Sequence, residues 1–183
     1  GGSPDDYNSV LVRLGQMNIL QPLITRGDVE IVLDKSVPRW DPDNAYIIMK
    51  NFLSDHTELD AVIASNDGIA QGVCRALEEK GLGGKVIVSG QDAHTDACRR
   101  IVQGTQTMTV YKYIQSLASV AVNATIALAK DEVVPFAQST VNNGQKMVPA
   151  ILLPSMIQVT KENMQATVIA DGYVQESEVD NQY

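Results

Sequence analysis

Histidine and cysteine are scarce in this sequence of 183 residues, which contains two of each. Cys74 and Cys98 form no close-spaced C-x-x-C pair, and His56 and His94 stand alone. The chain therefore lacks the ligand spacing of a zinc site, and we expect no metal and no cofactor. Because free cysteines are often simply packed in a core, we expect the thiols to be buried or idle, with a disulfide as the alternative.

Basic residues and long apolar runs are also few. The 14 basic residues are outnumbered by 22 acidic ones, which gives a formal net charge of -8. Nucleic acid and anionic membranes require a positive footprint, so neither is predicted as a partner. No stretch approaches the roughly 20 apolar residues of a membrane helix. The abrupt start at Gly1-Gly2-Ser3 suggests a cut from something longer, so the lack of a signal peptide says little about compartment.

The signatures of catalysis are missing as well. No serine or cysteine lies in a nucleophile-elbow pattern, and no phosphate-binding loop is present. The glycine-rich run Gly81–Gly84 follows a predicted helix and precedes a predicted strand, which is the wrong order for a phosphate cradle. Only Asp92 and Lys112 could form an acid and base pair, so an enzyme is not the favoured interpretation.

What the sequence does contain is a regular alternation of β-branched runs and helical periodicity, which predicts an α/β fold with a parallel sheet. A first helix follows Pro4-Asp5-Asp6 and ends at Gly27. Val29–Leu33 is predicted to be a buried strand. Asp41 as cap and Pro42 as first residue then predict a second helix.

Three further strands are predicted, at 60–65, 86–89 and 107–110, and helices follow the first two and end near Gly81 and Gly104. The segment 114–128 is apolar on most of its circumference, which is typical of a deeply buried helix. The last strand candidate is 151–153.

Polar side chains follow the predicted strands at their carboxyl ends, where ligands meet an open parallel sheet. They are Asn66 with Asp67, Gln91 with Asp92, and Lys112, and Trp40 lies in another such loop. A neutral polyol needs hydrogen-bond donors and acceptors together with a flat apolar face, and this set supplies all three.

Each of these residues also has a purely structural interpretation. Asp67 is as readily explained as a helix cap, so it is left out of the predicted site. Asn66 and Asp92 could be turn residues. Trp40 could staple the entry of the helix that follows it, and Lys112 could be solvated.

Three runs carry a family resemblance: Ala64-Ser65-Asn66-Asp67, Val88-Ser89-Gly90-Gln91-Asp92-Ala93, and Gly104-Thr-Gln-Thr-Met-Thr-Val-Tyr-Lys112. Together with Trp40, Asn142-Asn143-Gly144 and Asp171-Gly172-Tyr173, they resemble type I periplasmic binding proteins, in particular the D-xylose-binding proteins of ABC transporters. The resemblance extends over essentially the whole chain, and the run ending at Lys112 is its most specific part.

The resemblance implies a Rossmann-like lobe of a two-lobed receptor whose first lobe is mostly absent. Residues 1–112 would form the second, C-terminal sugar-binding lobe, 113–148 would cross back to the first lobe, and 149–183 would return as a strand and tail. The helix at 114–128 would then be covered by the first lobe or by another copy of the chain, since alone it exposes an apolar patch.

The resemblance also implies which residues contact the ligand. Trp40 would stack on a pyranose ring, and Asn66, Asp92 and Lys112 would hydrogen-bond it. The expected function is binding of a monosaccharide, with D-xylose as the expected sugar, by closure of two lobes that an ABC permease recognises. The expected location is periplasmic or extracellular, with a lipid anchor as one option.

Alternatives remain open on role and on substrate. The same fold serves as an extracellular sensing module of two-component sensor kinases and in repressors, although a repressor would carry a basic DNA-binding segment. The segment Asp34-Lys35-Ser36 departs from the xylose-binding pattern, which has a further aromatic there. Arabinose, ribose and glucose therefore stay as alternative substrates.

Overall fold

The chain divides into two compact units, each described by itself. The structure is a computed structural model that describes residues 1–56, 58–153 and 156–179. Unit 1 consists of Gly1–Tyr111 and the chain from Gln158 onwards, and unit 2 consists of Lys112–Ile157.

Helix α1 (Tyr7–Arg26) opens unit 1 with the boundaries that its flanking residues predict. The carboxylate of Asp6 accepts a hydrogen bond from the backbone N–H of Asn8 at 2.8 Å, which caps the helix start. Gly27 ends the helix with a φ of 80°, a left-handed conformation that glycine adopts without steric cost. No residue of α1 is buried, and Val10, Leu11 and Leu14 are about half exposed.

Helices α2 (Pro42–Asp55) and α3 (Asp67–Glu79) pack against each other and form the core of unit 1. Asp41 caps α2 as predicted, accepting from the backbone N–H groups of Asp43 and Asn44. The backbones of the two helices approach each other closely at Gly72 of α3, where a Cβ atom would collide with the carbonyl oxygen of Pro42 in α2. The main buried side chains are Met49, Leu53, Ile69, Val73, Leu77 and Val88.

Strands β1 (Ala61–Val62) and β2 (Ile87–Val88) pair in parallel, with Ala61 opposite Ile87. Helix α4 (Thr95–Gln103) follows β2 and ends at Gly104, whose φ is 85°. Strand β3 (Thr109–Lys112) forms a second two-stranded sheet with β6 (Met156–Val159). The α/β class and the parallel pairing are confirmed, although β1 and β2 are shorter than the predicted strands and β3 begins two residues later than predicted.

One predicted strand of unit 1 is wrong. The segment 29–33 is not a strand, and Ile31 and Val32 are 40% and 48% exposed. A strand needs a neighbour for its backbone N–H and C=O groups. Among the described residues no strand pairs with this segment, and only Leu33 packs against the core.

The C-terminal part of unit 1 contains a short π-helical segment (Gln165–Ile169) and helix α6 (Glu176–Val179). Val168, Val174 and Val179 are buried here. Lys161 reaches back to α4, where its Nζ donates to the carbonyl oxygen of Val102 at 2.8 Å.

Unit 2 contains helix α5 (Ile114–Ala129) and a hairpin of β4 (Ser139–Asn142) and β5 (Met147–Ala150). The strands are antiparallel with Ser139 opposite Ala150, and Gly144 lies in the turn with a φ of 91°. The predicted strand at 151–153 is wrong, because pairing ends at Ala150 with the end of the partner strand.

Deep burial of the 114–128 helix is not found in the described chain. Ala127 is its one buried residue among those described, while Leu117 and Val122 are 49% and 58% exposed. Apart from this helix, the described secondary structure of unit 2 consists of a two-stranded hairpin and the ends of β3 and β6, which is too small a layer to cover the helix. In the part of the chain that is described, no helix combines the length and apolarity that crossing a membrane requires.

Candidate ligand-binding site

Asn66 lies at the corner between β1 and α3 and caps α3. Its Oδ1 accepts a hydrogen bond from the backbone N–H of Ile69 at 2.8 Å. The interpretation of Asp67 as the cap is therefore wrong: the cap is one residue earlier. With Oδ1 engaged in capping, the Nδ2 group of this half-buried side chain is the one suited to donate to a ligand.

Asp67 is instead a buried acceptor, with 1% of its surface exposed. The hydroxyl of Thr109 donates to both carboxylate oxygens at 2.9 Å, Gln106 Nε2 donates to Oδ1 at 3.0 Å, and the backbone N–H of His94 donates to Oδ2 at 2.9 Å. One carboxylate thus joins the start of α3, the start of α4 and strand β3.

The surroundings of this carboxylate are tightly built. Arg100 donates to Gln106 Oε1 at 3.0 Å and to the backbone carbonyl of Asp67 at 3.2 Å. A Cβ atom at Gly90 would collide with Asp67 Oδ1. Burial raises the pKa of Asp67 above its usual value, and the hydrogen bonds from His94, Gln106 and Thr109 act in the opposite direction.

Backbone hydrogen bonds align the loops that follow the strands of unit 1. The N–H of Asp67 donates to the carbonyl oxygen of Gln91 at 2.9 Å, and the N–H of Asp92 donates to that of Val110 at 2.8 Å. The loops after β1 and β2 therefore lie side by side next to β3. Asn66 and Asp92 belong to these neighbouring loops, and Lys112, the first residue of unit 2, follows Val110 by two positions.

Trp40 lies in a short 3-10 turn, Pro38–Trp40, directly before α2. Its indole Nε1 donates to Asp6 Oδ2 at 3.1 Å, and Gly2 approaches the ring so closely that a Cβ there would collide with it. A Cβ at Gly68 would lie 3.4 Å from the carbonyl oxygen of Trp40 and 3.6 Å from Asn66 Oδ1. The turn of Trp40 is thus adjacent to the α3 start that carries Asn66.

Two of the predicted site residues have strained backbones. Trp40 has a φ of 55° and Asp92 a φ of 101°, and their neighbours Arg39 and Ala93 have φ values of 56° and 54°. Left-handed conformations are uncommon for residues other than glycine and cluster at functional sites. Among the described residues, Asp131 and Phe136 are the other non-glycine residues with a positive φ, so four of the six lie in these two loops. The strain is an observation independent of the sequence pattern, and it supports the same two loops.

Three residues near these loops were not predicted from the sequence to contact or position a ligand. They are Asp6, which holds the indole of Trp40; Asp67, which ties the loops together; and Tyr173, whose hydroxyl donates to the carbonyl oxygen of Asp92 at 3.2 Å. Asp6 and Tyr173 are distant in sequence from their partners, so no local signal could have identified them.

Other features of the surface do not compete with this location. A shallow groove on α1 is lined by Met17, Asn18, Gln21, Pro22, Thr25 and Arg26, all from one helix. A groove without a second wall encloses no ligand, so we assign no site there.

Among the described residues, histidine, cysteine and carboxylate side chains form no group of three that could hold a metal ion. Cys74 and Cys98 are free and buried, which confirms the predicted burial of these two residues.

Comparison with known proteins defines the class to which this fold belongs. Residues 1–132 match the family described as "Periplasmic binding protein domain". An ABC transporter solute-binding protein from Clostridium phytofermentans with bound β-D-glucose superposes with a TM-score of 0.82 at 27% identity, over 98% of this chain and 58% of that one. The chain belongs to the periplasmic binding protein family and has its type I fold.

The similarity is higher to particular members. The chain is 47% identical to the D-xylose-binding periplasmic protein of Escherichia coli (strain K12) over 180 residues, which cover 98% of this chain and 54% of the relative. It is 48% identical to the protein of the same name from Haemophilus influenzae, over 94% of this chain and 52% of the relative. The chain thus spans about half the length of the curated relatives that it matches.

Proposed function

We propose that this chain supplies one half of the sugar-binding site in a periplasmic receptor for D-xylose that serves an ABC transporter. The observation that carries the proposal is the identity of 47–48% to two D-xylose-binding periplasmic proteins. The aligned loops of Asn66 and Asp92 and the strain at Trp40 and Asp92 support it. The glucose bound to the Clostridium protein keeps other pyranoses in consideration.

The chemistry of the proposed site follows from the groups present. The indole of Trp40 offers a flat face against which the C–H groups of a pyranose stack. Asn66 Nδ2 donates to a sugar hydroxyl, and the carboxylate of Asp92 accepts from one or two hydroxyls. Lys112 is assigned to the same site on the family resemblance alone. These groups bind and orient a polyol, and we infer that the protein is not an enzyme.

The remainder of the site is proposed to come from a first lobe that closes on the sugar, with segment 113–148 belonging to that lobe and 149–183 returning to the second. The exposed side chains of α5, Leu117 and Val122 among them, support this assignment, because a first lobe packed on α5 would bury them. The closed form is then recognised by a membrane permease on the outer side of the cytoplasmic membrane, in the periplasm or at the cell surface with a lipid anchor.

The sensor-kinase role has no support of its own, since the xylose-binding relatives are described as binding proteins. Titration calorimetry of the full-length receptor tests the transport-receptor proposal. We expect D-xylose to bind with a dissociation constant in the micromolar range and to be preferred over D-glucose, L-arabinose and D-ribose. Failure to bind any of the four sugars would contradict the proposed function.

Substitutions in the same receptor test the residues individually. Asp92→Asn removes the charge from a hydrogen-bond acceptor and is expected to weaken binding about 10- to 100-fold, the range for hydrogen bonds to charged groups. Asp28→Asn is the matched control, because Asp28 is an exposed acid paired with Arg26. Lys112→Met, with Lys146→Met as its control, tests the residue assigned by resemblance. Equal affinities for variant and control would remove that residue from the site.

A further inference from the structure

The C-terminal segment reaches back to one of the loops of the candidate site. The hydroxyl of Tyr173 donates to the backbone carbonyl of Asp92 at 3.2 Å, across 81 positions of sequence. The ring of Tyr173 packs against that of Tyr111 with 4.8 Å between centroids. Asp171 accepts a hydrogen bond from the hydroxyl of Tyr111, so the segment 171–173, here called the tail clasp, is fastened at two points.

The residue that the clasp contacts is strained. Asp92 has a φ of 101°, and Ala93 after it has a φ of 54°. Such conformations persist only where the surroundings over-determine them. Strand β3 supplies two restraints: the carbonyl oxygen of Val110 accepts from the Asp92 N–H, and the hydroxyl of Thr109 accepts from the Ala93 N–H at 3.2 Å. The tail clasp supplies the restraint on the Asp92 carbonyl.

The hydroxyl of Tyr173 is in its donating form at neutral pH, because tyrosine ordinarily titrates at about pH 10. Partial burial raises the pKa of Tyr173 above its usual value, and the charge of Asp92 acts in the same direction. The phenol therefore stays protonated and able to donate at neutral pH. The ring of Tyr173 packs on the ring of Tyr111, which fixes the direction of the hydroxyl. The residue as a whole is 39% exposed.

We propose that Tyr173 is a positioning residue for sugar binding: through its hydrogen bond to the Asp92 carbonyl, it holds that residue in the conformation that presents its carboxylate to the ligand. The tail clasp then contributes to sugar binding indirectly, through Asp92. This inference rests on the proposed function for its ligand, whereas its local consequence, a restrained Asp92 loop, can be measured without any sugar.

The test is Tyr173→Phe in the full-length receptor, which removes one hydroxyl and keeps the ring. We expect D-xylose affinity to fall roughly threefold to tenfold, the effect of one misplaced hydrogen bond, with the melting temperature nearly unchanged. Tyr46→Phe is the matched control, because it removes exposed hydrogen bonds to Glu79 at the end of α3 and to Lys50 of α2, and its affinity is expected to equal the parent value.

Hydrogen exchange followed by mass spectrometry is the second readout. Backbone amides of 91–94 are expected to exchange at least about threefold faster in Tyr173→Phe than in the parent or in Tyr46→Phe, with or without sugar, because local opening then requires fewer contacts to break. Asp171→Asn, which weakens the other fastening of the clasp, is expected to change exchange in the same direction.

The outcomes separate the two hypotheses. A parent receptor that binds no sugar contradicts the proposed function, while the exchange result still decides on the clasp. The inference is overturned if the amides of 91–94 exchange at the parent rate in Tyr173→Phe. Faster exchange with unchanged D-xylose affinity also overturns it, since the clasp would then be structural only.

Discussion

Substitution of Gly90 by alanine is the sharpest test of the buried network that organises the binding loops. The added Cβ would collide with Asp67 Oδ1 and reach 2.5 Å from Gln106 Nε2, so the carboxylate must move away from its partners. Gly90 does not need a left-handed backbone, which leaves the collision as the main effect. Overpacking and the loss of one or two hydrogen bonds to a buried carboxylate together predict a destabilisation of about 2–4 kcal/mol.

Gly15→Ala provides a control with the opposite expected sign. Gly15 lies inside α1, and beyond the local backbone of that helix nothing lies within 4 Å of its would-be Cβ, so alanine is expected to stabilise the helix by about 0.5–1 kcal/mol. Urea unfolding monitored by circular dichroism measures both variants. If Gly90→Ala unfolds within about 0.5 kcal/mol of the parent, the range of ordinary surface changes, the network does not have the tightness inferred for it.

Four further predictions concern pH, thiols, the isolated chain and α5. Because burial raises the pKa of Asp67 in the folded state, the stability that this group contributes is gained as pH falls through that pKa and lost as pH rises through it. In urea unfolding, the free energy of unfolding of the parent, relative to that of Asp67→Asn, should therefore increase as pH is lowered from 7 to 4. Burial raises the pKa of Cys74 to about 11 and of Cys98 to about 12, so neither should react with a disulfide reagent at pH 8 until urea is added. The isolated chain should bind D-xylose with a dissociation constant on the order of millimolar or weaker. Micromolar binding in calorimetry would contradict the proposal that this chain supplies only half of the sugar-binding site. It should also self-associate in analytical ultracentrifugation, Val122→Glu should reduce that association, and a stable monomer at low concentration would count against an uncovered α5.

The local structure of this chain was largely predictable from its sequence. The caps at Asp6 and Asp41, the stops at Gly27 and Gly104 and the periodicity of each helix are local signals, and the helices begin and end where these signals predict. The α/β class followed from alternation of the two periodicities. The prediction of a strand at 29–33 was wrong, because strand pairing depends on a neighbouring strand that a local sequence pattern cannot reveal.

The site was predictable only in part. Spacing placed polar residues after the strands, and resemblance selected Trp40, Asn66, Asp92 and Lys112, which remain predictions until binding is measured. The function of Asp67 was misjudged because a cap and a buried acceptor look alike at a strand-to-helix corner. Its partners Gln106 and Thr109 lie about forty positions away, and no local pattern connects them.

The sequence by itself determined the order and type of the helices and the family, because both depend on residues that are close together or on runs that can be matched directly. Only the tertiary structure decided which residue caps α3, that one buried carboxylate joins three segments, and that the tail contacts Asp92. These are contacts between groups distant along the chain, and they exist only after the backbone has been folded so that donors meet acceptors.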